Sequence, residues 1–445
     1  MTEILSQTAT QQPLTADQVI SPYIWVAYAA FIVSFVFTPI MRRVALYFGI
    51  IDKPDPRKMH TRPVAYLGGL AVFLGWVAGL AVSQFVPLHR WLPGMDDHVI
   101  VHLSIVVGAC VILVLGLWDD TVGISPKVKI AGQVAAACAL LAAGIGTTMT
   151  EPFLRNILLR LDLRTGVAIS PNTFAALVAG TSAMLTIMII VFCCNAANLM
   201  DGLDGLCGGV TGIIAAGFLI LAVNLAMQGQ MEQTNWDALR VVLSLALLGS
   251  VLGFVPYNFN PASIFMGDTG SMFLGFSCGL SIILLAEVEA KWFLAAMVMF
   301  ALPVLDTSLA FARRWVNGRP LFSPDKFHFH HQLVSRGLTV RKAVLLSYAL
   351  AIGFVILGAA IVVMRTRYAG LAYLMIFGSI IVAAYKMGMV HERPRAVARR
   401  ELSEGLSALA PSQRVEAGGT LEVADPRSGN GTGEIGAARD SVSQT

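Results

Sequence analysis

Residues 178–226 read VAGTSAMLTIMIIVFCCNAANLMDGLDGLCGGVTGIIAAGFLILAVNLA, and the reading of this stretch decides the fold. Two apolar runs, 178–194 and 210–226, flank the polar, glycine-rich NAANLMDGLDGLCGG at 195–209. Runs of this length predict two helices that cross a membrane and meet where they return to water. Their connection offers Asn195, Asn198, Asp201 and Asp204, with Gly202, Gly205, Gly208 and Gly209 between them. Glycines allow tight turns and close approach to a ligand, and short carboxylates and amides supply oxygen ligands for a hard cation. Taken alone, the same residues also describe a polar hairpin with a few solvated acids.

The pattern recurs outward from there. The 445-residue chain is 56% hydrophobic and 13% charged, with a mean hydropathy of +0.71. That is too apolar for a soluble domain, so the expected fold class is an all-α polytopic membrane protein. Roughly eleven apolar segments are present, at 22–41, 67–87, 98–118, 128–147, 177–194, 208–227, 238–256, 270–287, 291–312, 342–364 and 368–387. Gly132, Gly144 and Gly146 dilute the fourth, which membrane helices tolerate because small residues serve helix contacts. Segment 148–176 has mixed polarity and reads as a short interfacial hairpin. Residues 1–20 are expected to be a non-cytoplasmic N-terminal segment, lacking the basic start and apolar core of a cleaved signal peptide. Residues 21–388 form the integral-membrane domain, and 389–445, where apolar residues thin out, read as a disordered cytoplasmic tail. The six cysteines lie in or beside apolar runs without metal-ligand spacing, which favours buried thiols over a disulfide or redox pair.

Parity assigns a sidedness. Connections after odd-numbered segments carry Arg42, Arg43, Lys53, Arg57, Lys58, Arg62, Lys127 and Lys129. The later ones add Arg313, Arg314, Arg319, Lys326, Arg336, Arg341 and Lys342. The opposite connections carry few basic residues besides Arg155, Arg160 and Arg164. By the positive-inside rule the basic face is cytoplasmic, with the N-terminus outside and the C-terminus inside. The net charge of +4 is modest and reflects topology, and no nucleic-acid partner is expected. The basic face also receives every motif-like stretch: 52–69, 118–129, 195–209, 257–271 and 321–337. One composite site built from cytoplasmic loops is therefore expected.

Each stretch has a chemical and a plainer reading. Asp119 and Asp120 end the third segment in GLWDD, where two adjacent carboxylates need a positive partner: a metal ion, Lys127 or Lys129. They also suit an ordinary acidic loop. NPASIFMGDTGSMFLG, from Asn260, sets Asp268 in a tight turn before a helix whose N-terminus favours phosphate. A helix cap is the plainer role for Asp268. Phe265 is placed to stack on a flat base or to lie at the interface. In SPDKFHFHHQLVSRG, His328, His330 and His331 lack the partner cluster of a zinc site, which favours substrate contact. DKPDPRKMHTRPVAYLGGL, from Asp52, would attract a polyanion or simply set topology. Asp306 lies inside the ninth segment, and a carboxylate in a membrane points to function, or to pairing with Arg313 or Arg314.

Together these motifs resemble the polyprenyl-phosphate N-acetylhexosamine-1-phosphate transferase superfamily. The likeness rests on DD at 119–120, NAANLMDGLDGL at 195–206, GDTGS at 267–271 and HFHH at 328–331, in the family's order, and on the DKPDPRK-H-RPVAYLGG loop; it covers roughly 20–390. The HxHH pattern is similar to the WecA/TagO-type UDP-N-acetylglucosamine-1-phosphate transferases. Phe329 interrupts the three consecutive histidines usual in phospho-N-acetylmuramoyl-pentapeptide transferases, while Gln332 replaces an arginine common in the WecA/TagO branch. The resemblance implies that a lipid phosphate, undecaprenyl phosphate in bacteria, attacks the β-phosphorus of a UDP-N-acetylhexosamine, giving a lipid diphosphate-sugar and UMP. It implies magnesium as cofactor, with manganese as a substitute, held by Asn198 and Asp268. Asp119 would position the lipid phosphate or take its proton, with Asp120 as its partner. Asp204 and Phe265 would hold the uracil, with Asp201 grouped beside them and given no single role. Lys129, His328, His330, His331 and Asn195 would line the sugar-phosphate side. Direct displacement is expected rather than a covalent aspartyl intermediate. The rivals are the muramoyl-pentapeptide substrate on the same chemistry, and a secondary transporter. A homodimer is compatible with so much apolar surface, since lipid-facing and partner-facing residues look alike.

Overall fold

Helix starts are written into the sequence. Ser125, Ser170 and Thr339 precede Pro126, Pro171 and Val340, and their hydroxyls accept the N–H of Val128, Thr173 and Lys342. These are N-caps, two of them followed by a proline that loses nothing in a first turn. The computed structural model describes residues 14–52, 63–85, 99–165, 170–228, 234–316, 318 and 328–386. The chain divides into Met1–Val390 and His391–Thr445, and the second unit lies outside the described residues. So do Lys53, Arg57, Lys58, His60 and Arg62 of the first basic loop, Arg319, Lys326 and the proposed tail.

In chain order the elements are α1 (Ala16–Ile20), α2 (Ile24–Phe48), β1 (Ile51–Asp52), β2 (Val64–Ala65), α3 (Gly68–Ser83), α4 (Leu103–Val122), α5 (Pro126–Ala142) and α6 (Glu151–Thr165). They continue with α7 (Pro171–Met200), α8 (Leu206–Gln228), α9 (Thr234–Asn258), α10 (Gly267–Ala286), α11 (Ala290–Met299), α12 (Ala301–Val316), α13 (Phe329–Ser335), α14 (Val340–Val363) and α15 (Thr366–Lys386). Seven helical stretches among the described residues are long and apolar enough to cross a membrane, or eight if α11 and α12 count as one bent span. The chain is thus an all-α polytopic membrane protein. Each of the eleven apolar segments contains helix among its described residues, but α3, α5 and α15 fall outside that set of seven or eight.

Three others differ in their bounds or course. The ninth is broken, with α11 and α12 meeting at 74°. Pro303 explains the break, because it lacks an N–H and its ring clashes with the carbonyl four residues back, at Met299. The fifth runs on to Met200, so Asn195 and Asn198 lie on its last turns, three apart on one face, and the connection shrinks to 201–205. The eighth begins at Gly267, which puts Asp268 in its first turn. Among its described residues, segment 148–176 contains a 15-residue helix, α6, and the start of α7, with Arg155 paired to Glu151 at 2.5 Å. Cys193, Cys194, Cys207 and Cys278 are buried and free as expected, but Cys138 is exposed and Cys110 half-buried.

The core is centred on α10, whose residues other than Asp268 are all buried. It packs against α3, α4, α7, α8, α9 and α11. Small residues permit this enclosure, as is usual where helices touch in membranes. Around it, α2 packs on α3 and α9, and α8 on α9 and α14. The outward faces of α2 and α14 carry large exposed apolar side chains, among them Trp25, Ile32, Leu345 and Ile356. Such surface suits lipid rather than water. At one end of the bundle, β1 and β2 pair antiparallel, Ile51 with Ala65 and Asp52 with Val64. Ala65 also bridges Ile264, and the Phe265 N–H donates to the Ala65 carbonyl at 2.8 Å. The first loop is thereby stitched to the segment that enters α10.

Candidate active site

A close helix contact assembles the site. At Gly116, α4 approaches the start of α10 so tightly that a β-carbon would run into the main chain of Thr269. The next turn of α4 then carries Asp119 and Asp120 beside the first turn of α10. Asp120 Oδ1 accepts the Asp268 N–H at 2.8 Å, and its Oδ2 accepts the Thr269 N–H at 3.0 Å and hydroxyl at 2.6 Å. The first N–H groups of a helix lack partners in their own helix, so Asp120 caps α10 from outside it. Gly267, at φ +73°, leaves the space that this carboxylate fills. Asp120 is therefore committed to holding α10. Asp268, which might have served as a cap itself, is left with its carboxylate directed elsewhere.

That carboxylate meets three elements. Asp268 Oδ2 lies 2.6 Å from Lys129 Nζ, in the first turn of α5, and Lys129 also pairs with Asp119. Asp268 Oδ1 accepts from Asn198 Nδ2 at 2.8 Å, and the same amide donates to Ser271 Oγ at 3.0 Å. Asp119 Oδ1 accepts the Ile124 N–H at 2.9 Å, which closes the α4–α5 turn. The positive partner that the paired acids demanded is thus Lys129 rather than Lys127, which is exposed.

Other expected residues join less directly. Asn195 donates to Gln133 Oε1 at 2.8 Å and to the Val191 carbonyl at 2.7 Å. Both amide protons tie α7 internally and to the buried Gln133, so Asn195 supports the site rather than facing it. Asp204 Oδ2 accepts from Asn260 Nδ2 at 2.9 Å and the Ala262 N–H at 3.0 Å, and so holds the 260–262 loop. Phe265 is half-buried, its ring 6.1 Å from that of Tyr66. His328 and His330 are buried and their rings stack at 5.6 Å, while His331 lies 4.4 Å from His330. The imidazole tips of His330 and His331 lie against Gly202, which connects the histidines to the 201–205 turn.

Sequence reasoning missed Tyr66. Its phenol hydrogen-bonds Asp52, and burial, together with the carboxylates of Asp52, Asp120 and Asp268, pushes its pKa well up. It therefore stays a neutral hydroxyl at the rim of the carboxylate cluster. Nothing in its surroundings, a proline-rich basic loop, singled it out. Ser271 and Gln133 were missed for a similar reason, since each acts only through a residue brought close by folding.

Asp201, just past the end of α7, carries the other electrostatic anomaly. Burial first, then repulsion from Asp268, Asp120 and Asp204, pushes its pKa from an ordinary 3.8 up to about 8. A carboxyl that holds its proton more tightly when folded contributes most below its unfolded pKa, and that contribution declines as pH rises towards the folded value. Asp201→Asn, which stays neutral in both states, is expected to melt with the unmutated protein near pH 4 and increasingly above it as the pH rises to about 8. An unchanged gap in melting temperature across that range would mean that Asp201 is already ionised.

The donor set at Asp268, Asn198 and Asp119 is all oxygen, the chemistry a hard divalent cation prefers. The Lys129 ammonium shows where positive charge settles among these acids. Among the described residues no group of three His, Cys, Asp or Glu side chains is arranged to hold a metal ion. Magnesium suits such a site, because it is commonly bound through one or two carboxylates plus substrate phosphates.

A membrane helix bundle with this acid–amide–lysine cluster at one end defines a class, and comparison with known sequences agrees. Residues 102–286 match glycosyl transferase family 4. The chain is 36% identical over 374 residues to the probable undecaprenyl-phosphate N-acetylglucosaminyl 1-phosphate transferase of Bacillus subtilis, covering 82% of this chain and 93% of that one. It is 34% identical to the decaprenyl-phosphate N-acetylglucosaminephosphotransferase of Mycolicibacterium smegmatis, over 75% of this chain and 80% of the relative. A Salmonella typhimurium undecaprenyl-phosphate alpha-N-acetylglucosaminyl 1-phosphate transferase is 27% identical, over 72% and 79%. The chain belongs to glycosyl transferase family 4.

Proposed function

We propose that this protein transfers N-acetylglucosamine 1-phosphate from UDP-N-acetylglucosamine to a polyprenyl phosphate, undecaprenyl phosphate in most bacteria, and releases UMP. The lipid diphosphate-sugar so formed starts a cell-envelope polysaccharide. The observation that carries this reading is the Lys129 ammonium between Asp119 and Asp268, with Asn198 on the other Asp268 oxygen, at one end of a membrane bundle. The names of its relatives supply the polyprenyl-phosphate acceptor and the sugar.

In the reaction a lipid phosphate oxygen forms a bond to the β-phosphorus. The bond from that phosphorus to the oxygen bridging to the α-phosphorus breaks, and the bridging oxygen leaves with UMP. Both reactants are anions, so charge screening and alignment dominate catalysis. Lys129 can move from its carboxylate partners onto the incoming diphosphate. Asp119, anchored by the Ile124 N–H, aligns the lipid phosphate at the bilayer surface. A phosphate with a second pKa near ~6 is already largely ionised at neutral pH, so positioning outweighs proton removal there. Magnesium, held by Asp268 and Asn198, would neutralise charge across the diphosphate. Phe265 beside Tyr66 offers a flat surface for uracil, and the histidines line the sugar side.

The topology that goes with this reading has eleven spans, with a site at the cytoplasmic face of the bacterial inner membrane. The N-terminus lies outside and the C-terminal tail inside, an orientation supported by the distribution of basic residues. Purified protein given magnesium, polyprenyl phosphate and either UDP-N-acetylglucosamine or the muramoyl-pentapeptide nucleotide is expected to release UMP with the first only. Turnover of the second alone would transfer the assignment to the peptidoglycan branch. Release with neither would remove the enzyme reading.

A further inference from the structure

Asp306 is a buried carboxylate in α12, 3% exposed, and the transfer reaction leaves it without a role. Its Oδ1 accepts the Phe329 N–H at 2.7 Å, at the start of α13. Its Oδ2 lies 3.0 Å from His330 Nδ1. His328 Nδ1 is 3.4 Å from Oδ1, within ion-pair reach. One carboxylate on α12 thus anchors the first turn of α13 and faces two of its imidazoles.

The hydrogen-bonding capacity of these groups fixes the tautomer of His330. An ionised carboxylate only accepts, so the proton in the Asp306–His330 contact is on Nδ1. In the neutral ring Nε2 is then an acceptor. That Nε2 is buried and has no hydrogen-bond partner among the described residues. It lies against Gly202, so close that any β-carbon there would collide with it, and His331 Nε2 converges on the same place at 3.1 Å. Gly202 belongs to the turn that carries Asp201 and Asp204. A buried ring nitrogen without a partner, packed against a glycine whose missing side chain gives the imidazole room, is left to accept from a donor on a ligand. A fully ionised phosphate has no proton to give. A sugar hydroxyl or acetamido N–H does.

We propose that Asp306 is a positioning residue: it holds His330 with Nδ1–H turned inward, so that Nε2 accepts a hydroxyl or amide proton from the sugar of the nucleotide substrate. This rests on the transferase reading. It adds a sugar-recognising contact to that reading and makes α12, past the bend, part of the specificity apparatus. The arrangement obeys a known logic, in which a carboxylate sets the tautomer and direction of a histidine without itself touching substrate.

A double-mutant cycle on full-length, detergent-solubilised protein tests it. Asp306→Asn is expected to lower kcat/KM for the UDP-sugar by about 10–100-fold, the usual effect of removing such a partner. The KM for polyprenyl phosphate should stay put. Asp306→Glu should recover most of the loss. His330→Ala should lose at least as much as Asp306→Asn, and the double variant no more than His330→Ala alone. Multiplying losses, or a Glu variant as poor as Asn, would overturn the proposal. If Asp306→Asn fails to fold, selective 15N-histidine NMR of the unmutated protein decides, with the His330 signal assigned by its loss in His330→Ala. Nδ1 protonated and Nε2 bare supports the proposal; a bare Nδ1, or a ring protonated on both nitrogens, overturns it. This second measurement needs no substrate. A protein that releases no UMP would therefore defeat the functional reading and still report on Asp306.

Discussion

Asp268→Asn is expected to cut UMP release by about 10³-fold or more while leaving the protein folded, because the position combines two separable roles. Its backbone N–H is held by Asp120, and that bond survives any side-chain change. Its carboxylate is what gathers Lys129 and Asn198. An amide at 268 is neutral, so it removes one negative charge facing Lys129 and one charged ligand for a divalent cation. Losing a single well-placed electrostatic group in a preorganised site costs about 10²–10³ in rate. Here the change strikes charge screening and cation binding together, hence the larger figure. The melting temperature and the gel-filtration profile in detergent should match the unmutated protein. Activity within about threefold of normal would take Asp268 out of the reaction centre, and with it the proposed cation site.

The same cluster shows how far a sequence can be read. Segment-level features were legible, since apolar runs of membrane-spanning length have a local physical cause. Asp119, Lys129, Asn198 and Asp268 could be proposed because acids and amides beside glycines are conspicuous in an apolar chain, and folding brings the four together. What could not be read was how each polar group is used. Asp119 and Asp120 are neighbours in the chain, yet successive helix positions point about 100° apart. One faces Lys129 and the other caps α10, a difference set by the contact at Gly116. Asn195 and Asn198 share a motif, but Gln133 engages the first. Asp306 stood out as costly, and its partners were sought about two helix turns on, at Arg313 and Arg314. It is the histidines on the next helix that face it. Long-range pairing of this kind has no local signature.

Asp120→Ala is the variant that separates holding the site from working in it. The substitution strips three hydrogen bonds, two of them to backbone N–H groups at the start of the most buried helix in the bundle. Each donor left without a partner costs roughly 1–3 kcal/mol, less where water can enter from the mouth of the site, so a total loss of about 2–4 kcal/mol is expected. The first turn of α10 should loosen, and Asp268 with it. A displacement of about 1 Å at a reacting centre is enough to cost about 10² in rate. Asp120→Ala is therefore expected to lower both the melting temperature and turnover. Asp120→Asn keeps one acceptor oxygen but turns its NH2 toward the donor on the other side, so it should recover only part of the loss on both measures. The contrast with Asp268→Asn is the test: that change should spare stability and destroy activity, whereas at 120 the two should fall together and recover together. Were Asp120→Asn to abolish turnover with an unaltered melting temperature, the carboxylate would be acting on substrate, and the capping role read from its contacts with Asp268 and Thr269 would be incidental.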